Sequence, residues 1–444
     1  MAHVIIIGNG ISGVTTARHL RKHSDDEITI ISGETDYFFS RTALMYVFMG
    51  HMQFAHTKPY ENYFWKKNRI NLKRCWIKDI DYKQQILFTA EGESVPYDKL
   101  VLGVGSKPNK FGWPGQDLQG VQGMYSYQDL MSLEEQATEG IQRGVIVGGG
   151  LIGIELAEML RSRGIAVTFL VRENAFWSNV LPAGESALIS DHIKKHHVDL
   201  RFGANLKEIV DHGTGKVKGV ILEENGEEIP CDFVGLTAGV SPNIDFLKGG
   251  DLELGRGIKV NRFLETNIPN VYACGDCAEF SDPPKGRRSI EQVWYTGRMM
   301  GEVLAQNLIG NPTEYSPGPW FNSAKFFDIE YQTYGVVLPR LPEEQQSFYW
   351  QHPTKEIAIN VVFEKESKIF IGINVFGIRM RHELFDKWLR AGASVTEVMV
   401  HLKDANFDPE FYASQEGLIV ASFNQETGLN VVLKKKSWTR IFNR

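Results

Sequence analysis

At 444 residues the chain exceeds what one ordinary hydrophobic core organises, so two or three domains are expected. Hydrophobic residues at 43%, charged residues at 23% and 43 glycines exclude a disordered or fibrous chain, and a net charge of -6 argues against a nucleic-acid partner. Four cysteines are too few to staple a chain of this length, and no apolar stretch approaches a membrane span, so a reducing, cytoplasmic setting is expected.

The chain opens on an apolar run, Val4 to Ile7, followed by Gly8-Asn9-Gly10-Ile11-Ser12-Gly13, a helical pattern toward Lys22 and a second apolar run from Ile28 to Ile31. This is a strand, a glycine turn, a helix and a strand, the unit that binds a dinucleotide. The first glycine permits the bend, the second lets backbone approach a pyrophosphate, and the third lets helix pack on strand, while the helix N-terminus attracts the anion. Glu34 follows 21 positions after Gly13, where an acid accepts hydrogen bonds from a ribose. Gly8, Gly10, Ile11, Ser12, Gly13 and Glu34 are therefore candidate contacts to one nucleotide.

Lys99 to Val104 predicts a strand ending at Gly105-Ser106. The opening design then repeats: Val145 to Val147, the turn Gly148-Gly149-Gly150-Leu151-Ile152-Gly153, a helix to about Arg163, and a strand from Val167 to Val171. Glu173 lies 20 positions after Gly153, which implies a second dinucleotide, with Gly148, Gly150, Leu151, Ile152, Gly153, Glu155 and Glu173 as candidate contacts. Arg172 beside that acid could accommodate a 2′-phosphate, so NADPH stands beside the preferred NADH; the plainer reading of Arg172 is a solvated charge. Short strands are expected at Phe233 to Thr237, before Gly239, and at Val271 to Ala273, before Gly275. Past the proline-rich segment Tyr315 to Pro319, strands at Ala358 to Phe363 and Ile369 to Val375 and a helix from Arg379 to Leu389 mark a third domain.

In their order these motifs resemble the FAD-dependent pyridine nucleotide-disulphide reductase superfamily over nearly the whole chain. Tyr97 to Ser106 is similar to the strand and turn closing the first FAD half, Thr237 to Asn243 to the link after the NAD domain, and Asn270 to Asp276 to the second FAD motif. Glu291 to Arg298 resembles the helix whose N-terminus points at the flavin. The resemblance implies an α/β fold of two Rossmann-like domains plus a C-terminal α+β interface domain. It divides the chain into an FAD domain (1–118 with 245–320), an NAD(P)H domain (119–244) and a C-terminal domain (321–444). It adds Gly105, Gly239, Gly275, Asp276, Gln292, Val293 and Trp294 to the cofactor contacts, with Asp276 on the ribityl chain.

The superfamily's disulphide reductases carry cysteine after the first ribose-binding acid, whereas Tyr37 to Tyr46 has none. Ser40-Arg41-x-x-Leu44 instead resembles the ferredoxin and rubredoxin reductases, the nitrite reductase flavin domain and apoptosis-inducing factor, which implies that Arg41 pairs with a phosphate or orients the flavin; the plainer reading is a surface ion pair. Asn406 to Phe411 holds no histidine where glutathione-reductase-like dimers place their acid–base pair. Cys274 and Cys277 have redox spacing but enclose Gly275-Asp276, so two small, partly buried thiols are expected beside the flavin tail.

The function expected is hydride transfer from NADH to FAD and onward electron transfer to a small ferredoxin- or rubredoxin-type protein. A peripheral quinone reductase and an FAD redox sensor or scaffold are the alternatives. No side chain is assigned as an acid–base catalyst. His51, His56, His196 and His197 form no recognisable ligand spacing, so no metal is expected. The basic tail from Lys434 to Phe442 is read as a membrane or acidic-partner contact or a solvated end, and a homodimer is permitted.

Overall fold

A computed structural model describes residues 1–407 and 413–434. Two compact units divide the chain: residues 1–170 with 204–317, and residues 171–203 with 318–444.

In the first unit, strands Val271–Ala273, Lys99–Leu102, His3–Ile7, Glu27–Ser32 and Ile70–Arg74 lie side by side in that order, all parallel. Val4 to Ile6 are fully buried, which is why this strand reads as an unbroken apolar run: a parallel strand covered on both faces has no polar alternation. Helices Ile11–His23 and Trp294–Leu308 pack against each other over this sheet. A second parallel set places Val121–Gln122, Phe233–Leu236, Arg143–Val147 and Ala166–Val171 side by side, with helix Leu151–Ser162 following the second glycine turn. Two three-stranded antiparallel sheets, one built on Ile77–Asp81 and one on Leu206–Val210, were not anticipated; their short strands mix exposed and buried residues without a clean alternation.

The second unit contains an antiparallel sheet ordered Phe321–Phe326, Ile329–Gly335, Phe370–Phe376, Ala358–Glu364, Gln345–Gln351. Only the Ala358 and Ile369 strands were expected, each within a residue of its observed bounds; the helix expected from Arg379 runs His382–Ala391. Helix Ala183–Lys195 packs closely on this sheet, since a Cβ at Gly184 would lie 2.7 Å from the Tyr349 ring. Glu185, fully buried on that helix, accepts hydrogen bonds from Asn360 Nδ2 (2.8 Å) and Asn374 Nδ2 (2.7 Å), which are cross-strand partners. Burial pushes its carboxyl up to about 7, against the two amides, which favour the charged form.

Together these are an α/β fold with two Rossmann-like parallel sheets and a C-terminal α+β region. No helix among the described residues is long and apolar enough to cross a membrane.

Candidate functional site

The two glycine turns are built alike at their three motif glycines. In the first, Gly8 has φ +113° and a Cβ there would lie 2.0 Å from the Gly103 carbonyl oxygen; at Gly13 it would lie 2.2 Å from Gly8 O. A Cβ at Gly10 would meet nothing within 4 Å. In the second, Gly148 (φ +117°) and Gly153 are hemmed in by Thr237 to Ala238 and by Gly148 O, at 2.7 and 2.4 Å, while Gly150 again faces open space. The outer glycines are thus demanded by packing within the protein. The middle one leaves room for something else beside the backbone.

Helices Ile11–His23 and Leu151–Ser162 start immediately after Gly10 and Gly150. Neither N-terminus has a side-chain cap or an acid in its first turn, so its leading N–H groups and the positive end of the helix dipole are left for an anion. This cradle fits a pyrophosphate.

A cavity of about 960 Å³ lies in the first unit. Gly8, Gly10, Ile11, Ser12, Glu34 and Arg41 border it from the first turn and the segment beyond. Gly105, Gly275, Asp276, Gln292 and Trp294 border it from the closing loops. Leu151, Ile152 and Glu155 reach the same cavity from the second-turn helix. Gly13, Gly148, Gly150, Gly153, Val293 and Gly239 do not line it; Gly239 (φ +85°) shapes the link before Val240, which does.

Several side chains stand differently from their expected roles. Arg41 was expected to meet a phosphate or the flavin; in the structure its fork closes on Glu34, with Nη1 to Oε1 at 2.9 Å and Nη2 to Oε2 at 2.6 Å. Nη1 also donates to Tyr125 O (2.6 Å), and the Tyr127 N–H donates to Glu34 Oε1 (2.9 Å). Burial works against this guanidinium's charge, but Glu34 holds it protonated. The helix expected to begin near Glu291 starts at Trp294; Glu291 is instead buried and accepts a fork from Arg287, and Gln292 Nε2 donates to Ser106 Oγ (2.8 Å), which donates to Asp276 Oδ2 (3.1 Å). Burial raises the Asp276 carboxyl even though Ser106 and Arg41 favour its charge.

Cys274 and Cys277 are free and fully rather than partly buried. Burial pushes their thiols up to about 11 and about 12, so neither supplies a thiolate near neutrality. The one cysteine bordering the cavity is Cys75, whose thiol is also raised by burial.

Glu155 is enclosed by protein yet opens on the cavity, and burial, reinforced by Glu158, pushes its carboxyl up to about 7. Trp294 borders the cavity; Tyr46 does not, its ring stacking on His51 instead. Residues that no sequence signal marks include Tyr125, whose hydroxyl accepts from Ser106 N (3.1 Å), and Trp76. Trp76 is 60% exposed on the cavity wall, and a Cβ at Gly33 would lie 2.2 Å from its ring.

In the second unit Arg172 is largely exposed and lies 3.2 Å from Glu173, whose backbone carbonyl accepts from Gly203 N. Among the described residues His51 and His56 join no ligand cluster; His196 converges instead with His192 and Asp328. Their four-residue spacing was the available signal, since it puts two side chains on one helix face. Asp408 to Phe411 and the tail from Lys435 lie outside the described residues.

The family model described as pyridine nucleotide-disulphide oxidoreductase matches residues 2–301. An NADH oxidase of Methanocaldococcus jannaschii is 28% identical over 399 residues, covering 84% of this chain and 87% of that protein. An NADH-rubredoxin oxidoreductase of Clostridium acetobutylicum is 28% identical over 315 residues, covering 70% and 76%. Among solved structures, a ferredoxin reductase for the CYP199A2 system from Rhodopseudomonas palustris superposes with a TM-score of 0.77 at 23% identity, covering 85% of this chain and 91% of that one.

Proposed function

This chain belongs to the pyridine nucleotide-disulphide oxidoreductase family, and from that premise we propose that it oxidises NADH with FAD and passes the electrons to a small ferredoxin- or rubredoxin-type protein. It is an FAD-dependent NAD(P)H oxidoreductase. The observation that carries the reading is that residues of the first glycine turn and of the second-turn helix border one cavity, so two bound nucleotides would meet there. Bound FAD supplies the hydride acceptor and the onward electron carrier.

The residues divide the work as follows. The N–H groups after Gly10 and Gly150 hold the two pyrophosphates. Arg41 positions Glu34 rather than a phosphate: a carboxylate offers about four acceptor sites, three are taken by Arg41 and the Tyr127 N–H, and one on Oε2 is left for a ribose hydroxyl. Gln292 and Ser106 hold Asp276 toward the ribityl chain. Glu155, on the second-turn helix, faces the place where nicotinamide would lie, and Glu173 receives that nucleotide's ribose. The division into an FAD domain, an NAD(P)H domain and a C-terminal domain at 118, 244 and 320 is part of this reading, as are a cytoplasmic location and the absence of a cysteine relay.

Gly10→Ala tests the cradle directly. Its Cβ meets no protein atom, so the variant folds with the stability of the parent apoprotein but retains FAD poorly after gel filtration; full FAD retention would remove the first turn from the site. Anaerobic stopped-flow mixing with NADH then tests the reaction. Rapid bleaching of the flavin, followed by recovery of colour with ferredoxin or rubredoxin, is expected; recovery with a soluble quinone alone would favour the quinone reductase, and no bleaching a sensor.

A further inference from the structure

The second unit contains a group of side chains that the flavin reading does not use. Helix Ala183–Lys195 carries His192 in its last turn, and His196 follows as the first residue beyond it. Four residues of helical rise bring the two imidazoles to 4.6 Å between ring centroids. Facing them is the tight turn that joins strands Phe321–Phe326 and Ile329–Gly335, where Phe326 pairs with Ile329 and only Phe327 and Asp328 lie between. Phe327 has φ +56°, and its ring stacks flat on His196 at 4.2 Å, which fixes the plane of that imidazole. Asp328 then reaches both rings. Its Oδ1 lies 2.6 Å from His192 Nε2 and 3.1 Å from His196 Nε2, and the two nitrogens are 3.2 Å apart.

Each Nε2 can carry a hydrogen that donates to Asp328 Oδ1, and loss of both hydrogens leaves three lone pairs converging on one place. A cation can accept all three lone pairs. One point can lie about 2.1 Å from all three atoms, the distance at which His nitrogen and carboxylate oxygen bind zinc. We propose that His192, His196 and Asp328 form a site for one divalent transition-metal ion of the zinc class. Two imidazoles and one carboxylate suit zinc, nickel or cobalt and not magnesium or calcium, which take oxygen ligands. The Asp328 side chain is 75% exposed, so water completes the coordination. His192 Nδ1 is buried and has no hydrogen-bond partner among the described residues, and a ligand ring without that second bond holds its metal less tightly. The ion is therefore exchangeable, and it ties the end of the helix to the turn of the sheet.

The full-length flavin-loaded protein, stripped with EDTA, would be titrated calorimetrically with zinc chloride. One saturable equivalent is expected, with a rise in the thermal midpoint. His196→Gln and Asp328→Asn should each weaken zinc binding by about tenfold or more and lose the thermal shift, while their flavin spectra and their midpoints in EDTA match the parent. Asp328→Asn, at an exposed position, keeps the test open should the histidine variant fold poorly. No saturable uptake, uptake left intact by both variants, or displacement of zinc by equimolar magnesium would each overturn the site.

Discussion

Single side chains here differ chiefly in whether protein or open space faces them. At Gly8 an alanine would need both a left-handed backbone and the space of the Gly103 carbonyl, so Gly8→Ala should lower stability by more than about 3 kcal/mol in denaturant unfolding. Gly10→Ala has neither problem, and the contrast between two glycines in one turn separates a folding role from a ligand role. Glu155 offers a second test at this scale. Its carboxyl ordinarily titrates at 4.5 but is raised to about 7, so the fold favours the protonated form. The stability this gives is complete below 4.5 and is lost as pH rises through about 7. Glu155→Gln keeps the neutral shape at every pH. The midpoint difference between variant and parent should therefore widen from about pH 5 to about pH 8, reaching on the order of 2 kcal/mol; a constant difference would refute the raised value.

Between elements, a few buried polar contacts fix how helix meets sheet. Glu185 joins its helix to two adjacent strands through Asn360 and Asn374, and all of its partners are amides rather than cations. Glu185→Leu leaves two buried N–H₂ groups unpaired and should cost on the order of 3 kcal/mol. Glu185→Gln should cost much less, because Asn360 Oδ1 lacks a partner among the described residues and can turn to accept from the new amide. Equal losses in urea unfolding would show that volume, not hydrogen bonding, governs this contact. The late start of helix Trp294–Leu308 belongs to the same scale. Thr296 donates back to Val293 O, and Glu291 is drawn into a buried pair with Arg287, so three residues that fit a helical pattern are spent on the loop that carries Gln292 to Ser106.

For the molecule as a whole, the second dinucleotide is the part of the proposed function that a single substitution tests best. Glu173→Ala should raise the NADH concentration needed for half-maximal flavin bleaching by about tenfold, one hydrogen-bonded charge's worth, while FAD content stays unchanged; an unaltered NADH dependence would remove Glu173 from the nucleotide site. The sequence by itself determined the two strand–turn–helix–strand units, because their signals are local. Buried parallel strands are apolar throughout, and a turn that must bend at φ above +100° beside a carbonyl tolerates only glycine. It likewise determined the want of a cysteine in the Tyr37 to Tyr46 segment. Only the tertiary structure decided which separated side chains meet. Arg41 and Glu34 were read as independent ligand contacts and close on each other; Glu185 finds its amides 175 and 189 positions away; His196 finds Asp328 132 positions away. No periodicity or spacing encodes such pairs, since they arise from strand order and helix docking, and these are settled by the packing of the whole chain.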